Sequence, residues 1–135
     1  MAAVPTGIRI ELIHNQKRGS RDLNDEYVMI VNDGTQRWDL AGWLVTDETS
    51  QQLRPHEYRF PAELANGQKW YFDPGEAIYL RTGSGQDVFI AKPSRGRPQF
   101  HFYWDRRAFV WNNSGDRVYV RHPNGTWATQ PFPIP

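Results

Sequence analysis

Residues 7–14 alternate Ile8, Ile10 and Leu12 against Arg9, Glu11 and Ile13, the two-residue period of a strand with one buried face. Residues 15–25 are polar around Gly19-Ser20 and predict a solvated loop. Residues 27–31 are β-branched and apolar on both faces, which predicts a central strand covered on each side. Asn32-Asp33-Gly34-Thr35 then supplies residues that accept positive φ in a hairpin turn. In residues 38–46 Gly42 interrupts a strand-like run, so two short strands separated by a bend are expected. Tyr58-Arg59-Phe60-Pro61 reads as a short strand stopped by a proline, which has no N–H to give a ladder. Asp73-Pro74-Gly75 is a turn signal, and residues 77–81 alternate again, with Ile78 and Leu80 on one face.

Residues 86–108 are the least regular stretch, with Pro93, Gly96 and Pro98 among basic residues, and predict a long excursion. Asn112-Asn113-Ser114-Gly115-Asp116 reads as a tight polar turn, followed by Val118 and Val120 in alternation with Arg117, Tyr119 and Arg121. Pro123-Asn124-Gly125 closes a further hairpin before Trp127. No window carries sustained helical periodicity and no internal repeat is evident. Short strands at this spacing, about seven to nine of them, predict an all-β sandwich of two sheets.

Four segments resemble the lamin tail domain, the immunoglobulin-like module at the end of nuclear lamins and in bacterial proteins. They are residues 24–32 with Gly34; Asp39-Leu40-Ala41-Gly42-Trp43 running to Asp47; Phe60-Pro61 with Pro74-Gly75-Glu76; and Asn112-Asn113-Ser114-Gly115-Asp116 with Val118. The resemblance implies an immunoglobulin-like β-sandwich over residues 7–128, an N-terminal extension at 1–6 and a proline-rich tail at 129–135. It also implies an interaction module for proteins and, in some settings, DNA or chromatin. The matching residues are architectural: Asp39 and Gly42 suit a corner, Trp43 a core position and the glycines turns, so the resemblance identifies a scaffold. Two departures stand out. Position 29 is Met where a polar residue is more usual, and residues 84–108 resemble an enlarged loop, so that face of the sheet is expected to be covered by the loop or by a partner.

Composition narrows the chemistry. The 135 residues hold no cysteine, which excludes disulfides, zinc-thiolate sites, iron–sulfur clusters and thiol catalysis. The longest fully apolar run, Tyr27-Val28-Met29-Ile30-Val31, is far short of the roughly 20 residues of a spanning helix. No leader is visible before Gly7, so a cytoplasmic location is the default expectation and membrane insertion is not expected. The four histidines are dispersed, with no metal-ligand spacing; no metal and no cofactor are expected. Asp22-Leu23-Asn24-Asp25-Glu26 opens like a calcium loop but has Tyr27 where the loop needs Gly and Asp33 where it needs Glu. The serines lack a nucleophile-elbow context, and no catalytic residue is assigned.

The net charge of +1 hides an uneven distribution. Lys92, Arg95, Arg97, Arg106 and Arg107 against Asp105 leave residues 92–107 at +4, whereas residues 47–76 carry −3. Phe100, His101, Phe102, Tyr103 and Trp104 lie within the basic segment, interleaving guanidinium forks with rings. The expected contact surface is Arg95, Arg97, Tyr103, Trp104, Arg106 and Arg107, recruiting a protein or nucleic-acid partner. In the competing reading Phe100, Phe102 and Trp104 alternate into the core while the arginines solvate a loop. Two other functions remain open: a carbohydrate-binding or cell-surface module stacking sugars on exposed Trp and Tyr, and a hydrolase using His101 and nearby acids.

Overall fold

A computed structural model describes residues 7–14, 22–46, 56–108, 110–111, 117–122 and 132–133. The expected extension at 1–6, the loop at 15–21, the Asn112-Asn113-Ser114-Gly115-Asp116 turn, the Pro123-Asn124-Gly125 hairpin and most of the tail lie outside these residues. Among the described residues the chain forms nine strands and one short 3-10 turn. They are β1 (Ile8–His14), β2 (Tyr27–Asn32), β3 (Leu44–Thr46), β4 (Glu57–Arg59), β5 (Ala77–Arg81), β6 (Val88–Ile90), β7 (Gln99–Tyr103), β8 (Arg117–Arg121) and β9 (Phe132–Pro133), with the 3-10 turn at Leu23–Asp25. A five-stranded sheet runs β1-β2-β5-β7-β6 and a four-stranded sheet β4-β3-β8-β9.

The core follows from period-two burial on the facing sides. Val28 and Ile30 of β2, Ile78 and Leu80 of β5, and Phe100 and Phe102 of β7 point inward from the larger sheet. Val45, Tyr58, Val118 and Val120 meet them from the smaller one. Aromatic rings fill the gap: Trp70 lies 4.8 Å from Phe102 and Phe60 5.4 Å from it, in tilted and edge-on contacts worth about 0.5–1.5 kcal/mol each beyond area burial.

β1 departs from simple alternation. A bulge shifts its register between Ile10 and Leu12, so Ile8, Ile10 and Ile13 are buried and Leu12 turns out. Residues 86–108 are not the predicted excursion, for they contain β6 and β7, and β7 lies parallel to β5 inside the larger sheet. Residues 91–98 connect β6 to β7, and residues 104–108 lead on from the end of β7.

The predicted hairpin at Asn32-Asp33-Gly34-Thr35 is instead a corner that carries the chain toward the second sheet. Buried Asn32 holds it: Oδ1 accepts from Gly34 N–H at 3.0 Å, and Nδ2 donates to Gln36 O and Phe72 O. Gly7 packs on this corner so closely that a Cβ there would stand 2.3 Å from Gly34 Cα. At the Asp39–Gly42 corner Asp39 Oδ1 accepts from Ala41 N–H, and Gly42 adopts φ +84°, a left-handed conformation that glycine adopts freely. Buried Glu26 joins three segments, its Oε1 accepting from Thr82 Oγ1 and from Val110 N–H, both at 2.7 Å.

Candidate interaction surfaces

The six residues expected to form one contact surface divide between the two ends of β7. Arg95 and Arg97 precede the strand; Tyr103, Trp104, Arg106 and Arg107 end or follow it, about 20 Å away at 3.3 Å per residue. Trp104 faces the core, 8% exposed, with Nε1 donating to Glu57 O at 3.1 Å and its ring against Tyr58 and Trp111. Phe100 and Phe102 are buried with it, so these three aromatics alternate inward. Arg97 is half-buried and its Nη1 donates to Asp33 Oδ1 at 2.9 Å. Arg95, Arg106 and Arg107 are exposed. Arg106 follows Asp105, whose φ of +60° is held by Ser84 Oγ donating to its carboxylate and by its own N–H donating to Gly83 O.

The outward face of the five-stranded sheet brings together residues from five strands. Pairing register aligns Leu12, Met29, Tyr79, His101 and Val88 in one row across β1, β2, β5, β7 and β6. Leu12 and Val88 are 37% and 43% exposed, and Met29 and Tyr79 are half-buried. The next row holds His14, Tyr27, Arg81 and Tyr103. Rings in the two rows pack on one another. His14 stacks on Tyr27 and Tyr79 on His101, each pair 5.0 Å apart and within 12° of parallel. Arg81 lies over Tyr27 at 5.0 Å, with Nε donating to His101 Nδ1 and Nη1 to Asn24 O.

Those contacts fix the state of His101. Its Nδ1 accepts from Arg81, so its Nε2 carries the proton and donates to Gln99 Oε1 at 2.8 Å. Burial, and then the Arg81 charge, push its pKa down to about 4. Both ring nitrogens are thereby occupied, neither by a carboxylate, which leaves the hydrolase reading without its base. Near the end of this face Asp33 accepts from Arg97 and Arg9, which hold its carboxyl below the usual range.

A second feature lies at the β6 edge. A cleft of about 190 Å3 opens there between β6 and the 64–73 segment. Leu64, Trp70, Phe89 and Phe100 form its apolar lining, and Arg37 and Lys69 stand at its rim. Both cations are internally paired: Arg37 with Asp73 at 2.6 Å, Lys69 with Asp39 at 2.9 Å. They also flank the ring of Tyr71, at 4.8 and 5.3 Å.

Sequence reasoning did not find the outward row. Part of its signal lies in the sequence, since Tyr79 alternates with Ile78 and Leu80, and Met29 is an apolar residue at a position where the resemblance implies a polar one. The carbohydrate reading calls on exposed Trp and Tyr. Among the described tryptophans Trp43, Trp70, Trp104 and Trp111 are buried and Trp38 is half-buried, Trp127 lies outside the described residues, and Tyr71 is exposed. No curated protein matches the chain. A family profile, Lamin Tail Domain, matches residues 2–130. The two-sheet architecture and that match agree with the resemblance carried by the corners at residues 39–43 and 73–76: the chain belongs to the lamin tail domain family, with an immunoglobulin-like sandwich fold.

Proposed function

We propose that this domain is a non-catalytic interaction module that recruits a protein partner on the outward face of its five-stranded sheet. The observation that carries the reading is the row of Leu12, Met29, Tyr79, His101 and Val88, a mostly apolar line of side chains crossing the sheet and interrupted by the neutral His101. Such a line suits the dry centre of a protein interface. Arg106 and Arg107 at one end of β7, and Arg95 at the other, form a cationic rim suited to a partner carrying acidic side chains around an apolar patch.

A nucleic-acid partner is favoured less. Stacking platforms need free ring faces and a track of uncommitted cations. Here His14, Tyr27, Tyr79 and His101 cover one another, while Arg9, Arg81 and Arg97 are engaged within the domain.

Affinity capture from the native source tests the proposal, with Leu12→Glu and the Leu12→Glu/Met29→Glu double variant as comparisons. A protein retained by the wild type and lost from both variants is expected. Equal retention by the double variant would defeat the proposal. A parallel titration with single- and double-stranded DNA should give no binding at low salt. Salt-sensitive DNA binding abolished by Arg106→Ala with Arg107→Ala would replace the protein reading with the nucleic-acid one.

A further inference from the structure

We infer that the β6 edge, together with the cleft beneath it, is a second site that accepts an extended peptide as an added strand and takes one apolar side chain into the cleft. It adjoins the surface proposed above, with Val88 at the border of both, but it rests on the backbone pairing of β6 and on the cleft and does not depend on that reading.

The argument begins with backbone direction. Ala77 N–H donates to Pro98 O and Trp104 N–H to Arg81 O, so alternate residues from Pro98 to Trp104 turn their backbone groups toward β5. Gln99 and His101 therefore turn theirs toward β6, to their register partners Ile90 and Val88. Phe89, between those two, directs its N–H and C=O away from the sheet. Asp87 faces the same way, and its C=O already accepts from Ala65 N–H at 3.1 Å. That bond shows the edge in use for one residue. Among the described residues no backbone bond continues the pattern at Phe89.

The composition of the edges singles this one out. β1 carries Arg9, Glu11 and a bulge; β4 is Glu57-Tyr58-Arg59; β9 contains Pro133. Charges, bulges and prolines stop a sheet edge from pairing with another chain, as do short strands and covering loops. β6, Val88-Phe89-Ile90, is short and is covered at Asp87 by Ala65, but the strand itself carries no charge, bulge or proline. Val88 and Ile90 are also among the few exposed large hydrophobic residues, and Tyr71 at the cleft rim is another.

The occupant follows from the geometry. A strand laid beside β6 would bond to Phe89 through its main chain and alternate its side chains between the two faces of the sheet. The inward side chain enters the cleft lined by Leu64, Trp70, Phe89 and Phe100. A volume of about 190 Å3 suits one leucine- or phenylalanine-sized group. Gln68, Asp73 and Glu76 also line the cleft, but Arg37 is paired with Asp73, Lys69 with Asp39, and Glu76 accepts from Asp73 N–H at 2.8 Å, so the charged groups are engaged within the domain and the cleft selects chiefly by apolar shape.

The test uses the full chain and a capped heptapeptide of alternating threonine and valine, with a central leucine and a lysine at each end. Amide and indole resonances are followed by two-dimensional 15N NMR. Expected are shifts at Phe89, Ala65, Phe100 and the Trp70 indole, and affinity about tenfold weaker when the peptide amide facing Phe89 is N-methylated, the loss of one hydrogen bond. Replacing the central leucine by aspartate should weaken binding at least as much. Phe89→Pro, which removes the edge N–H, should bind more weakly than Phe89→Ala, which keeps it, whereas Leu12→Glu should bind as the wild type does. No shift at these residues at millimolar peptide, or equal affinity for the N-methylated peptide, would overturn the inference. So would peptide-independent, concentration-dependent broadening at β6, which would assign the edge to a second copy of this chain.

Discussion

His101 shows how one side chain can be read wrongly from sequence and clearly from its neighbours. In the sequence it is one of several rings among arginines, available as a base or a stacking surface. In the fold Arg81, Gln99 and Tyr79 surround it, and burial with the Arg81 charge lowers its pKa from the ordinary value near 6.5 to about 4. The unfolded chain then takes up a proton near pH 6.5 that the folded chain does not accept until about pH 4. The stability tied to neutral His101 is therefore complete above pH 6.5 and is lost as the pH falls from 6.5 toward 4. Urea unfolding of wild type and His101→Gln across pH 4 to 7 measures this contribution. The stability difference between them should shrink as the pH falls; parallel curves would contradict it. Corner residues were more legible: Asp39, Gly42 and Gly75 do locally what their types suggest, because an Asx turn or a left-handed φ needs only near neighbours.

At the scale of elements, period-two patterns located β1, β5 and β8 well, and a β-branched run apolar on both faces located β2. They failed where the pairing carried information that the strand did not. The bulge in β1 brings Ile13 into the core in place of Leu12, and a strict alternation drawn from Ile8 assigns those two residues to the wrong faces. β7 was hidden because Pro93, Gly96 and Pro98 lead into it, although Phe100 and Phe102 alternate inward as any strand's residues would. The backbone direction deduced for β6 gives a prediction at this scale. The Phe89 amide, with no backbone bond on its outward side among the described residues, should exchange with solvent early, while amides of β2 and β5, strands paired on both sides, exchange last. Hydrogen exchange followed by NMR resolves the two groups, and slow exchange at Phe89 would contradict the pairing.

Across the whole molecule, the charge segregation seen in the sequence takes a different form. The basic residues of segment 92–107 flank β7 at both ends, and the inward aromatics between them belong to the core. Arg95, Arg106 and Arg107 thus stand near the two ends of a sheet face that has a mostly apolar row at its centre and polar side chains beside it. If an acidic partner binds there, raising the salt concentration should slow association far more than it hastens dissociation, and Arg106→Ala with Arg107→Ala should flatten that dependence. Stopped-flow mixing with the captured protein measures both rates; a salt-independent association rate would contradict the rim's role. The sequence by itself determined the all-β class, the family and most core positions, because alternation and turn chemistry act over a few neighbouring residues. Only the tertiary structure decided that β7 lies parallel to β5 between it and β6, that Leu12 faces outward, and that Leu12, Met29, Tyr79 and Val88 align. Strand order and register depend on pairings between residues distant in the chain, selected by how two sheets close over one core, and local sequence leaves that selection open.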